Sequence, residues 1–309
     1  MGKHVVVGAG QVGGRVAEML AEAGHEVVVV TRSGSGPDRA GITRVAAPAQ
    51  DAAEMRRVAE GADALYNCAN PKYHQWAQDW PPIADSLLRT AEATGAVLVA
   101  LGNLYGYGPV DGPMTEGTPL AATGTKGRVR AEMWKQALAA HQDGRVRITE
   151  VRGSDYFGPG ASDQSFLGGR FVGPLLAGRR AMVLSDPDIP HSWTYLPDVA
   201  AALATVATDE RAWGRAWHIP TSPARSIRAL AERLCDLAGA PAPRLGRLPG
   251  WALTAAGVVS PLLREMRETR YQFDRPFILD SSAFTATFGV TATPMDEALK
   301  ETIASWRAR

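Results

Sequence analysis

Two apolar runs flank one amphipathic stretch at the start of the chain. Val5, Val6 and Val7 form the first run and Val27 to Val30 the second, while Arg15 to Ala23 between them sets Val16, Met19 and Leu20 on one helical face. Unbroken β-branched runs predict strands buried on both faces, as in a parallel sheet. The alternation continues with a short strand over 42–46, a helix over 51–60 and a strand over 64–69. Pro81 and Pro82 predict the start of a helix that runs to Ala93, followed by a strand over 96–101. A Gly, Pro and Thr-rich loop spans 111–127, a helix begins at about Lys126 and ends near Gln142, and Arg145 to Val151 reads as a sixth strand. Strand and helix in regular turn predict an α/β fold, a Rossmann-type doubly wound parallel sheet with right-handed crossovers.

The later pattern is different. Residues 161–190 are Gly and Pro-rich, Ser226 to Ala238 places Ile227, Leu230, Leu234 and Leu237 on one face, and Trp251 to Met266 is an apolar stretch suited to a pocket or a dimer contact. The last helix is predicted with Thr293 as N-cap, Pro294 at its first position and Asp296 at its third. The expected organisation is a nucleotide-binding domain from 1–160 and 190–220, and a smaller C-terminal substrate lobe from 161–189 and 221–309, closed by the scaffold helix 293–309.

The turn after the first strand reads Gly8-Ala9-Gly10-Gln11-Val12-Gly13. Strand, G-x-G-x-x-G and helix in that order suit a dinucleotide pyrophosphate: Gly8 permits the tight turn, Gly10 lets the backbone approach the phosphates, and Gly13 lets helix and strand pack closely. The helix N-terminus then presents N–H groups and a positive dipole end to the anion. Gly8, Gly10, Gln11, Val12 and Gly13 are therefore the cofactor-binding candidates, joined by Ala69 and Asn70 at the end of the fourth strand. At the end of the second strand stand Thr31, Arg32 and Ser33, with the first acid only at Asp38. An acid there would bind the ribose 2′-OH of NAD, and a guanidinium pairs with the 2′-phosphate of NADP. Arg32 and Ser33 thus predict NADP(H).

Composition narrows the partners. With 33 basic and 32 acidic residues and a net charge of +1, the chain offers no basic stripe for nucleic acid and no polybasic membrane patch. A small molecule is the expected partner, and a homodimer is compatible with the apolar stretch near 251–266. Cys68 and Cys235 lack metal-site or disulfide spacing. The first strand starts at residue 3 or 4 and no apolar run reaches eighteen residues, which predicts a cytoplasmic protein.

Further along, Arg152-Gly153-Ser154-Asp155-Tyr156-Phe157-Gly158-Pro159-Gly160, Tyr195-Leu196-Pro197-Asp198-Val199-Ala200, Trp217-His218-Ile219-Pro220 and Asp280-Ser281-Ser282 before Phe288-Gly289 follow one another in order. Taken together they resemble the extended short-chain dehydrogenase/reductases, the family of nucleotide-sugar epimerases and dehydratases. The resemblance implies a Tyr-x-x-x-Lys pair at the helix after the fifth strand and a serine at the end of that strand. Here the tyrosine position is Gly124 if Arg128 takes the lysine position, or Ala122 if Lys126 takes it, and the serine position is Leu101. No phenol stands at either place.

The chemistry is expected from neighbouring groups. Tyr105 and Tyr156 are the candidate proton donors, and Lys126 and Arg128 the cations for the nicotinamide ribose or a substrate anion, or else, with Arg130 and Lys135, part of a solvated basic face. Tyr73, His74, Asn103, Asp155 and His191 are candidate substrate contacts, while Trp193 reads as core. The expected activity is NADP(H)-dependent reduction of a carbonyl, imine or activated alkene; the alternatives are a non-catalytic NADP-binding sensor and a nucleotide-sugar-type epimerase or dehydratase.

Overall fold

The computed structural model describes residues 1–161, 165–183, 186–247 and 268–308. The apolar stretch Trp251 to Met266 lies outside the described residues. The chain divides into two compact units: residues 1–108, 120–152 and 199–219, and residues 109–119, 153–198 and 220–309.

The first unit carries a seven-stranded sheet. Its strands are β1 (Lys3–Val7), β2 (Glu26–Thr31), β3 (Ile42–Ala46), β4 (Ala64–Asn67), β5 (Val97–Asn103), β6 (Ile148–Gly153) and β10 (Arg215–His218). They lie in the order β10-β6-β5-β4-β1-β2-β3, which reverses direction between β1 and β4. The pairs of β1 with β2 and β4, of β2 with β3, of β4 with β5 and of β6 with β10 are parallel. This is the Rossmann-type sheet that the alternating pattern predicts, and its reversal point lies where doubly wound sheets bind ligands at their carboxyl ends.

Helix α1 (Gly13–Glu22) follows β1 directly, and Gly24, at φ +83°, ends its turn. Helices α2 (Ala52–Val58), α3 (Trp76–Thr94) and α4 (Thr125–Gln142) complete the crossovers, with Asp51 accepting from the Ala53 and Glu54 amides to cap α2. Val5, Val7, Val28, Val30, Leu65 and Leu98 share one core with Trp76, Trp80, Leu87 and Trp134. Pro81 and Pro82 do not open α3; they sit inside it, six and seven residues along. An interior proline costs about 3 kcal/mol, but Trp76, Trp80, Ile83 and Leu87 are buried at helical spacing. Burial of each large apolar side chain contributes about 1.5–3 kcal/mol, so the four together outweigh the prolines.

The second unit holds two small parallel sheets, β7 (Asp155–Phe157) with β9 (Trp193–Tyr195) and β8 (Arg180–Val183) with β11 (Arg244–Arg247). Its core joins Phe157, Phe171, Leu175, Trp193 and Tyr195 to Leu230 and Leu234 of α7 (Ile227–Ala238) and to Leu299 and Ile303 of the last helix. Ser226 caps α7 through the Ala229 amide. Helix α5 (Gly169–Leu176) and the short helices α8 (Tyr271–Asp274) and α9 (Ser282–Phe288) belong to the same unit, while α6 (Leu196–Thr208) begins in it and continues into the first. The last helix, α10, runs from Met295 to Arg307 with Pro294 in the cap position, one residue later than predicted. Thr293 is committed elsewhere, since its amide and hydroxyl donate to the Asp198 carboxylate at 2.9 and 2.6 Å. Cys68 and Cys235 are both buried free thiols, and burial pushes the Cys68 thiol up to about 12.

Candidate active site

The glycine turn sits at the carboxyl end of β1. Gly8 has φ +96°, and a Cβ there would fall 2.6 Å from the Cys68 carbonyl oxygen and 2.8 Å from Ala69, so the turn is pressed on the end of β4. A Cβ on Gly13 would lie 1.8 Å from the Gly8 carbonyl oxygen, which only glycine avoids. At Gly10, in contrast, a Cβ would meet nothing within 4 Å, and the residue is exposed. Two glycines seal helix to strand and the third leaves open space at the N-terminus of a ten-residue helix. That geometry suits a diphosphate, because a helix N-terminus presents backbone amides and a positive dipole end to an anion.

Around this turn the first unit gathers most of the predicted site residues. Ala69 and the exposed Asn70 leave β4, and Asn67 before them is buried with its side-chain oxygen lacking a partner. Arg32 and Ser33 are exposed at the end of β2. The hydroxyls of that loop bond within it: Ser33 Oγ donates to Ser35 Oγ at 3.0 Å, and Thr31 Oγ1 to the Ser35 carbonyl at 2.8 Å. Asn103, at the end of β5, accepts the Tyr105 amide at 3.1 Å and shapes the next turn.

The cations of α4 separate by helical face. Lys126, in the first turn, is buried at 1 % exposure, with Nζ 4.6 Å from the centre of the Tyr73 ring. Arg130, one turn on, lies over the Trp76 and Trp80 rings at 4.8 and 4.2 Å and donates to the Leu101 carbonyl at 3.1 Å. Arg128 and Lys135 are exposed. The basic residues are thus no single solvated face: Lys126 is buried and Arg128 is exposed. Tyr73 belongs to a 3-10 turn, Tyr73–Gln75, that follows β4; its ring meets Trp76 edge-on at 5.1 Å and Tyr105 at 6.5 Å. His74, beside it, is exposed. Gly127 allows α4 this approach, since a Cβ there would come 2.5 Å from the Tyr105 carbonyl and 2.3 Å from the Ala122 Cβ.

Sequence reasoning did not place Trp80, left Trp76 in a loop where it opens α3, and weighed Arg130 as part of a solvated face where it lies over the two indoles. The signal was present in two complementary spacings, Trp76 with Trp80 and Lys126 with Arg130, each four residues apart and so on one face of its helix.

A second buried network lies deeper in the same unit. Arg152 Nε donates to Glu150 at 2.5 Å and its Nη1 to the Tyr107 hydroxyl at 2.9 Å, while that hydroxyl also meets His218 Nε2 at 2.7 Å. Burial alone would lower the Arg152 pKa, but the Glu150 carboxylate and the Tyr107 oxygen outweigh it and hold the guanidinium above its usual range. All four groups are buried, and the set is structural.

The remaining predicted residues belong to the second unit. His191 is buried, its ring stacked on Phe273 at 5.0 Å and Phe277 at 5.2 Å. Its Nδ1 meets the Gln272 carbonyl at 3.1 Å, and its Nε2 meets Asp155 at 2.8 Å and Ser154 Oγ at 3.3 Å. Trp193 is core, with its indole N–H donating to the Arg225 carbonyl at 2.9 Å. Tyr156 is half-buried on β7. Among the described residues no cluster could hold a metal ion, and no helix is long and apolar enough to cross a membrane.

Residues 4–219 match the family profile of the NAD dependent epimerase/dehydratase family. Among solved structures, a UDP-glucose 4-epimerase from Thermotoga maritima, crystallised with UDP-glucose, superposes with a TM-score of 0.82 at 17% identity, over 99% of both chains. A dTDP-glucose 4,6-dehydratase from Bacillus anthracis in complex with NAD gives 0.81 at 16% identity, over 100% of this chain and 97% of the other. The dTDP-glucose 4,6-dehydratase DesIV from Streptomyces venezuelae, with NAD bound, gives 0.80 at 20%, over 99% and 97%. No curated protein sequence matches.

These findings overturn two expectations. NADP(H) gives way to NAD, the cofactor of the matched family and of the bound dehydratases. The physical reason is that Arg32 is one exposed guanidinium, and the Thr31 and Ser33 hydroxyls beside it already donate within their own loop. Simple reduction of a carbonyl, imine or alkene likewise gives way to epimerase and dehydratase chemistry, because the same family match extends from β1 through β10. The chain belongs to the NAD dependent epimerase/dehydratase family.

Proposed function

We propose that this chain is an NAD-dependent enzyme that transiently oxidises a secondary alcohol of a nucleotide-linked sugar, as an epimerase or dehydratase does. The observation that carries the reading is the glycine cradle, sealed at Gly8 and Gly13 and open at Gly10, with the buried Lys126 in the same unit. The cradle fits a dinucleotide: Gly10, Gln11, Val12 and Gly13 would hold the pyrophosphate on the end of α1. Arg32 and Ser33 would border the adenosine ribose, and Ala69, Asn70 and Asn103 the path toward the nicotinamide. When bound, NAD takes up a hydride from the alcohol carbon and returns it. Lys126 supplies a positive charge that stabilises an oxygen anion as the alcohol proton leaves.

One observation favours a second reading, a dinucleotide-binding protein without turnover: Ala122, in register with Lys126, has no hydroxyl. Both readings meet the same experiment. Purified protein is denatured and its released nucleotide identified by chromatography, and intact protein is incubated with UDP-glucose and dTDP-glucose and followed by NMR. Release or saturable binding of NAD, its loss in Gly13→Val, and a new epimer or a 4-keto-6-deoxy sugar are expected. Absence of NAD binding overturns both readings, and NAD binding without change in a full panel of UDP- and dTDP-hexoses leaves the second.

A further inference from the structure

Resting on that reading, we propose that Tyr73 is the proton-transfer residue, its phenol activated by the Lys126 ammonium. The ring is fixed by Lys126 on one side and by Trp76 and Tyr105 edge-on, and the residue is half-buried rather than sealed in the core. The anchor is rigid in turn. Trp76 is buried in α3 under the Arg130 guanidinium, and Lys126 is held where Gly127 brings α4 against the Tyr105 backbone. Tyr73 also stands close to the cofactor cradle in the chain. Cys68 and Ala69, which press on Gly8, precede it by five and four residues.

A cation within about 4–6 Å favours the ionised form of a neighbouring group, and a tyrosinate is a competent base for an alcohol. In the proposed step the alcohol O–H bond breaks, and its proton passes to the Tyr73 phenolate oxygen. The C–H bond gives its hydride, with both electrons, to the oxidised nicotinamide. The carbon becomes a carbonyl, two electrons more oxidised, as the nicotinamide is reduced by the same two. In the reverse step the Tyr73 phenol returns the proton and is again the phenolate. The other tyrosines of the unit are placed differently: Tyr107 is buried with its hydroxyl between Arg152 and His218, and Tyr105 packs along Trp76 at 5.9 Å.

The test has two arms. In the first, tyrosine ionisation is titrated by ultraviolet difference absorption in the full chain, with and without NAD. One component is expected to vanish in Tyr73→Phe and to move up by about one pH unit or more in Lys126→Met. In the second, turnover of whichever UDP- or dTDP-hexose reacts is expected to fall about 10²–10⁴-fold in Tyr73→Phe, with NAD affinity and the far-ultraviolet circular dichroism unchanged. Titration of Tyr73→Phe identical to the parent overturns the proposal, as does an unmoved component in Lys126→Met. So does a larger loss of turnover in Tyr105→Phe than in Tyr73→Phe. If no sugar reacts, the functional reading fails on the second arm while the first still decides whether Tyr73 and Lys126 form an activated pair.

Discussion

At the amino end of the sheet, Tyr66 sends its hydroxyl to His4 Nδ1 at 3.1 Å, and His4 Nε2 meets His25 at 3.0 Å. On the loops beyond the carboxyl end of β4, Tyr73 lies under an ammonium instead. Burial pushes the Tyr66 phenol up, with Cys68 and Asp63 adding to it, and burial together with the neighbouring His25 pulls His4 down to about 4. Both groups of that pair are kept neutral. The two tyrosines belong to one unit and stand seven residues apart in the chain. Two things differ, burial and the neighbouring charge: Tyr66 is sealed in the core, whereas Tyr73 is half-buried with an ammonium over its ring. Tyr107 is a third case, buried with its hydroxyl between Arg152 and His218.

The sharpest way to break this comparison is to remove each cation. Arg152→Met leaves Glu150 buried and unpaired and takes a donor from Tyr107, so a loss of about 3–5 kcal/mol is expected in urea unfolding. Lys126→Met replaces an ammonium lying over the Tyr73 ring with an apolar chain of similar length, and a change within about 1–2 kcal/mol is expected. Equal losses in the two variants would make Lys126 a structural cation like Arg152. A smaller effect separates the phenols: Tyr107→Phe is expected to cost about 1–3 kcal/mol, because Arg152 and His218 both lose a buried partner. Tyr73→Phe, at a half-exposed site, should stay within about 0.5 kcal/mol in the same measurement.

The sequence was most legible where local geometry alone dictates the residue. The Val runs and the spacing of Gly8, Gly10 and Gly13 report backbone requirements, and the sheet and cradle follow them. It was less legible where a distant element decides the outcome. Pro81 and Pro82 signal a helix start, yet the burial of Trp76 and Trp80 carries α3 back past them. Thr293 has the chemistry of an N-cap, yet Asp198, 95 residues away in the chain, takes its donors. Lys126 and Arg128 look equivalent by composition, and only the packing of α4 buries one and exposes the other. The choice of cofactor was misread for a related reason. Arg32 has the right charge for a 2′-phosphate, but charge without surrounding donors is no pocket.

A further expected effect is a pH dependence set by the neutral pair at the amino end. His4 ionises near the ordinary histidine value of 6.5 in the unfolded chain and at about 4 in the folded one. Between these values the unfolded chain binds a proton that the native state refuses, so stability falls as pH falls. Above pH 6.5 the contribution is fully present, and it is lost through the window down to about 4. The full shift would amount to about 3 kcal/mol, of which about 2 kcal/mol is expected to be lost between pH 7 and pH 5. Urea unfolding at pH 7 and pH 5 measures it, and His4→Leu should flatten that part of the acid limb while leaving the Tyr73 titration in place. A His4→Leu variant that shifts the Tyr73 component would mean that the two ends of the sheet are electrostatically coupled. The contrast between them would then lie in the whole unit's field rather than in each phenol's immediate neighbour.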